Sequence, residues 1–311
     1  MGPTTLQEAI LYFASPDNCR EYLVAHRWAD GVTCPRCGSK KVLFQAKYNR
    51  WQCGSKHDLR QFTAKTGTIF EDSPLGLDKW LMAMWMVVNC KNGVSSYEIH
   101  RAVGVTQKSA WFMDHRIREA LGMASKNKLS GEVEADETFI GGKARNMHIS
   151  KRQRRITGTG GKDKTAVMGI LERGGHIRTI VVPNRKRAAL QTEVRKHVEA
   201  GAALYTDALP SYSGLAQDYA HAVVDHAVAY VDGRVHTNGL ENFWSLLKRS
   251  INGTYVSLEP FHLFRYLDEQ TFRYNHRKLT DGERFNLAVR GIVGKRLTYQ
   301  GLTGKVGASQ F

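Results

Sequence analysis

Residues 133–142 read VEADETFIGG, and this stretch anchors the fold. Polar and apolar residues alternate in part over residues 132–140, which predicts a strand. Strand side chains alternate between faces, so Glu134 and Asp136 share one face and Glu137 takes the other. Downstream, residues 166–171 and 176–182 predict two more strands around the turn ERGG at 172–175. Residues 188–200 read as a helix. The segment 202–205 is a short apolar strand running into Thr206 and Asp207, and residues 222–224 predict another. GLENFWSLLKR at 239–249 and residues 260–274 read as helices. Strands interleaved with and followed by helices predict an α/β domain with a mixed sheet.

Upstream the pattern differs. Residues 1–30 predict two helical pieces broken at Ser15-Pro16, with Leu6, Ile10 and Phe13 on one face of the first. Cys19, Tyr22, Leu23 and His26 line the second. Residues 31–72 are turn-rich, with VLFQ and RWQC as strands. Residues 73–125 are helical, with Asp78 as the cap of the segment 80–88. Over 94–121 lies the outline of a helix-turn-helix: Ser96 caps its first helix, Gly104 makes the turn and Thr106 caps the second. The polar linker 126–130 marks the boundary to a domain spanning 130–277, and residues 278–311 form a C-terminal extension.

The chain has 311 residues, 42% of them hydrophobic, enough for a substantial core. Lys and Arg outnumber Asp and Glu by 45 to 29, a net charge of +16 that favours a polyanionic partner. The most apolar run, 80–88, falls well short of the roughly 20 residues a membrane span needs. The N-terminus does not read as a signal peptide. A cytoplasmic, nucleoid-associated protein with no membrane partner is expected.

Five cysteines and no signal peptide argue against a disulfide scaffold. Cys34 and Cys37, spaced as a knuckle, precede Cys53 and His57; together they predict a tetrahedral structural Zn²⁺ site. In a segment this small, the metal would contribute folding energy. In the helix-turn-helix, Gln107 and Lys108 are the candidates for base edges in the major groove. Residues 141–164 hold eight Lys or Arg and one acid. This basic insertion, with Lys151, Arg152, Arg154 and Arg155, predicts phosphate contacts without sequence readout.

Acidic groups stand out in so basic a chain. Asp136 lies in its strand, Asp207 ends another, and Glu241 opens a helix. Spacing alone leaves Glu134, Glu137 and Asp225 as rivals, and capping or salt-bridged surface roles for all of them. Brought together, three carboxylates would repel unless neutralised, and divalent cations solve that problem while serving in-line displacement at phosphorus. Oxygen ligands suit Mg²⁺ or Mn²⁺. Lys248, two helical turns after Glu241, shares its face and is placed for a phosphate, as is the adjacent Arg249. His236 and Asn238 lie at the same helix start, as auxiliary groups for a water or phosphate or as structural hydrogen bonders.

In order and combination, CPRC with Cys53 and His57, TGTIFEDSPLGLDKW, VEADETFIGGK, YTDALPSY, HTNGLENFWSLLKR and FRYNHR resemble the bacterial insertion-sequence transposases of the IS1595 group. These carry an N-terminal zinc ribbon and an ISXO2-like catalytic domain. The resemblance spans residues 15–300. It implies an RNase H-like catalytic domain in which Asp136, Asp207 and Glu241 form the DDE-type acid set, with Lys248 as the following lysine. It implies recognition of terminal inverted repeats, metal-dependent 3′-end cleavage, strand transfer to target DNA, and at least a homodimer on double-stranded DNA. Three alternatives remain open at this stage: a nuclease on the same fold that cuts without joining, a domesticated DNA-binding regulator, and a zinc-ribbon RNA-binding protein.

Overall fold

The computed structural model describes residues 2–122, 127–142, 148–150, 153, 164–224, 234–256 and 258–304. The chain divides into two compact units, Met1–Met123 with His276–Phe311, and Ala124–Asn275. No described helix is long and apolar enough to cross a membrane.

The first unit opens with α1 (Leu6–Phe13) and α2 (Pro16–Arg27). Thr5 and Glu8 form a reciprocal capping box on α1, and Ser15 caps α2 with Pro16 at its first position. The buried face of α1 is Ala9 and Phe13, while Leu6 and Ile10 are 49% and 53% exposed. The expected Leu6-Ile10-Phe13 face is therefore rotated. Phe13 sets this, edge-on to Tyr22, and only its i−4 neighbour Ala9 follows it inward. Strands β1 (Val42–Gln45), β2 (Arg50–Cys53) and β3 (Gln61–Phe62) make a small antiparallel sheet, the first two matching VLFQ and RWQC.

Three helices follow: α3 (Leu77–Asn89), α4 (Ser96–Val103) and α5 (Gln107–Leu121). Asp78 does not cap α3; Gly76 holds the cap position without a side-chain bond, and Asp78 sits in the first turn, where its charge complements the helix dipole. The cap of α4 is Ser95, one residue before the expected Ser96, because Glu98 stands three residues after it and completes a capping box. Gly104 turns the chain at φ 63° and Thr106 caps α5, as expected. Beyond its first turn α5 is a core helix: Met113, Asp114, His115, Arg116, Ile117 and Arg118 are all buried.

The second unit is a mixed sheet between helices. In chain order it contains β4 (Glu132–Ile140), β5 (Thr165–Glu172), β6 (Ile177–Val182), α6 (Arg187–His197), β7 (Ala203–Asp207), β8 (Ala220–Val224), α7 (Asn238–Ser250) and α8 (Leu263–Asn275). The sheet order is β6-β5-β4-β7-β8, antiparallel on the β5 side of β4 and parallel on the β7 side. Strand alternation divides the core in two. Val133, Ala135, Met168, Ile170 and Leu204 join Leu190 and Val194 of α6, while Val167 and Leu171 meet Leu240, Phe243, Trp244 and Leu247 of α7.

The chain then returns to the first unit as α9 (Asp281–Arg290) and α10 (Tyr299–Thr303). Phe285 of α9 lies against Phe13, Tyr22 and Trp85. Lys295 donates to the carbonyls of Glu119 and Gly122 at 2.8 Å, a cation at the C-terminus of α5. The terminal segment thus supplies core and caps to the first unit.

Candidate active site and metal centre

In the first unit, Cys34, Cys37, Cys53 and His57 bring their ligand atoms within 4.8 Å of one another. The knuckle is a turn in which Gly38, at φ 72°, donates its N–H to the Cys34 carbonyl, a conformation that favours glycine. Cys53 ends β2. Across the cluster the Cys37 and Cys53 sulfurs are 3.7 Å apart, and the Cys34 sulfur is 3.5 Å from His57 Nε2. His57 Nδ1 sits 2.6 Å from the Asp58 carbonyl, which fixes the ring with Nε2 toward the sulfurs. Three sulfurs and one imidazole fit a structural zinc site. Among the described residues this is the one grouping of three or more such side chains arranged to hold a single ion.

The acids of the second unit are arranged more openly. β4 and β7 run parallel, with Ala135 opposite Thr206, so Asp136 and Asp207 follow at the next position of neighbouring strands. Glu241 lies in the first turn of α7. The Trp244 indole N–H donates to Asp136 Oδ2 at 2.9 Å, tying the helix face to the strand. Burial raises the Asp136 carboxyl from 3.8 to about 6; the Trp244 bond opposes this rise, and the charges of Asp207 and Glu241 add to it. The charges of Asp207 and Glu241 therefore reach Asp136. An all-oxygen donor set of this kind fits a hard divalent cation.

Two glycines allow α7 to lie this close. Gly169 of β5 is paired with Asp136, and a Cβ there would meet Trp244 at 2.7 Å and Leu240 at 2.8 Å. A Cβ on Gly239 would meet Leu171 at 2.5 Å and Glu134 at 2.8 Å. Glu134, a rival for metal on sequence grounds, is 1% exposed and is engaged by Arg173 and by the Leu240 amide. Glu137 faces the opposite side of the sheet, where the Tyr212 hydroxyl donates to it. Burial raises Glu137 to about 7, with the Tyr212 bond opposing and Asp207 and Asp136 adding.

His236 stands 3.0 Å from an Arg173 nitrogen and 3.5 Å from Glu134, within the contacts that hold the start of α7. Asn238 is the exposed first residue of α7, and Lys248 and Arg249 are exposed in its last turn. Gln107 donates to Ser96 at 2.9 Å, and Lys108 lies over the Tyr299 ring at 4.9 Å. Lys151, Arg152, Arg154, Arg155 and the rival Asp225 lie outside the described residues. Sequence reasoning missed Arg173, read only as part of a turn, and the two close-approach glycines. A glycine inside an apolar strand was the available signal for Gly169.

Residues 128–275 match the family described as "ISXO2-like transposase domain", and residues 14–55 match the "Transposase zinc-ribbon domain". The first match covers the sheet and all three acids; the second contains Cys34, Cys37 and Cys53 and stops before His57. A protein of Halobacterium salinarum, named "Uncharacterized protein in transposable element ISH50", is 29% identical over 251 residues, 76% of this chain and 83% of the relative.

Proposed function

We propose that this chain, which belongs to the IS1595 family of insertion-sequence transposases, is a DDE-type enzyme that cleaves DNA at the terminal inverted repeats of its element and joins the freed 3′ ends to target DNA. The observation that carries this reading is the convergence of Asp136, Asp207 and Glu241 from β4, β7 and α7, close enough for the last two to raise the first. The sheet order, with β4 between an antiparallel and a parallel neighbour, supports an RNase H-like domain.

When bound, Mg²⁺ or Mn²⁺ would neutralise the acids and supply Lewis-acid activation of the phosphodiester. Asp136 and Asp207 would hold cations from adjacent strands, and Glu241 would close the set from the helix. Trp244 keeps the Asp136 carboxylate oriented by its N–H bond. Lys248 and Arg249, exposed on α7, would bind backbone phosphates beside the acids. The zinc ribbon and the first turn of α5, where Lys108 is exposed, would engage the element ends. Because two ends must be handled together, the active species would be at least a homodimer on DNA.

A strand-transfer assay tests this reading, with purified protein, Mg²⁺, a labelled duplex from the flanks of the gene and a plasmid target. Metal-dependent covalent joining, lost in D136A while end binding is retained, is the expected result. Cleavage without joining would make the protein a nuclease, and stable binding with neither product would make it a regulator.

A further inference from the structure

Within the second unit, a charge network outside the acid set ties β4 to the start of α7. Arg173 follows β5 in the turn to β6. Its Nε donates to Glu134 Oε1 at 2.9 Å, while Nη1 donates to the Arg234 carbonyl and Nη2 to the His236 carbonyl, both at 2.8 Å. The guanidinium lies over the Tyr205 ring at 4.3 Å, and the Arg173 amide donates to the Glu132 carbonyl at 2.9 Å. One side chain therefore joins β4 to the segment that leads into α7.

Glu134 completes the connection. Its other oxygen, Oε2, accepts from the Leu240 amide at 3.0 Å. That amide is one of the helix-start donors with no partner inside the helix. The cap residue Thr237 makes no side-chain cap bond, so a carboxylate from the neighbouring strand does that work. Glu134 lies two residues before Asp136 on the same strand face, and Leu240 directly precedes Glu241. The path from first acid to third is thus Asp136, Glu134, the Leu240 amide, Glu241. Glu134 is almost wholly buried, and a buried charge without its partner is strongly unfavourable. Arg173 is that partner.

We infer that Arg173 is a positioning residue which, through Glu134 and the His236 carbonyl, sets the placement of Glu241 relative to Asp136 and thereby the affinity of the acid set for divalent cations. The inference rests on the carboxylate reading given under Proposed function. It assigns Glu134 to the support of the site and removes it from the candidate ligands.

The test uses the full-length, zinc-loaded protein and Tb³⁺ as the probe, followed by luminescence sensitised from Trp244, alongside Mn²⁺ titrations of end cleavage. R173Q is expected to raise the Tb³⁺ half-saturation concentration about ten- to a hundredfold, the range seen when support around metal ligands is lost. The Mn²⁺ needed for half-maximal cleavage should rise by a similar factor, with kcat at saturating Mn²⁺ near wild type. R173K keeps the charge but not the planar fork that reaches three acceptors, so it should restore only part of the affinity. If R173Q does not fold, E134Q preserves shape and should shift both titrations in the same direction by less. Wild-type half-saturation in R173Q, or in E134Q where that variant is the one used, overturns the proposal. A separate failure is distinguishable: if D136N and E241Q also leave Tb³⁺ binding unchanged, the carboxylate reading is wrong, not only the role of Arg173.

Discussion

The four zinc-type ligands all lie between Cys34 and His57, on one small sheet and its turns, whereas the three acids come from two strands and a helix between residues 136 and 241. The ribbon buries little apolar surface around its ligands: Trp51 and Phe62 are inside, but Leu43 and Leu59 are 68% and 72% exposed. The second unit has an apolar core on each face of its sheet. In the first case the ion must help hold the fold. In the second, on the function proposed above, the fold would hold the ion, and it would do so with Asp136 buried and beside the charges of Asp207 and Glu241. On that proposal, a close-set cluster of soft ligands and an open set of hard ones would carry opposite couplings between metal and stability.

The largest expected effect tests the first half of this contrast. Zinc chelation, or C34S, should release the metal and unfold the ribbon, a loss on the order of 10 kcal/mol by analogy with small zinc domains. Zinc content by elemental analysis and amide hydrogen exchange would follow it, with residues 42–62 losing protection and residues 132–140 keeping it. A ribbon that stays protected without zinc would break the comparison.

Next in size is the packing that brings α7 to the sheet. G169A places a methyl group against Trp244 and Leu240 and should destabilise the second unit by about 1–3 kcal/mol in denaturant titrations. It should also weaken Mn²⁺ binding, since Trp244 holds Asp136.

Charged Asp136 should oppose folding when no divalent cation is present. Asp136 titrates near 6 in the folded chain against an ordinary 3.8, so the folded state holds its proton more tightly between those values. This contribution to stability is present below pH 3.8 and is lost as pH rises to about 6, a decline of roughly 1–3 kcal/mol. D136N should remove that slope and be more stable than wild type near neutral pH without divalent ions. Mn²⁺ affinity, in competition with the proton, should rise over the same interval. Equal stability of the two proteins at neutral pH would show that the cost of keeping Asp136 charged in its buried place is negligible.

The smallest effect is local to the first unit. S95A removes the cap of α4 and should lower stability by about 1 kcal/mol in thermal melts. S96A loses a bond from Gln107 and should cost less. The reverse order would restore Ser96 as the cap.

Legibility tracked sequence separation. The strands at 42–45 and 50–53, the Gly104 turn and the Thr106 cap are local matters of propensity and hydrogen bonding, and they were readable. The face of α1 was not, because the partners that choose it, Tyr22 and Phe285, lie outside the helix. Nor was the burial of α5, whose polar residues Asp114, His115 and Arg118 resemble a solvent-facing surface in sequence. The Arg173–Glu134 pair spans 39 residues and exists only once the sheet register is set.

By itself, sequence determined that Glu134 and Asp136 share one strand face, that Glu137 takes the other, and that the Cys and His ligands form one cluster, since each follows from backbone alternation or short spacing. Only the tertiary structure decided that α7 covers the Glu134 face. That choice places Glu134 under the Leu240 amide and Asp136 against Trp244. Alternation states which side chains share a face, but long-range packing decides what covers it, and so gives two acids of one face different partners.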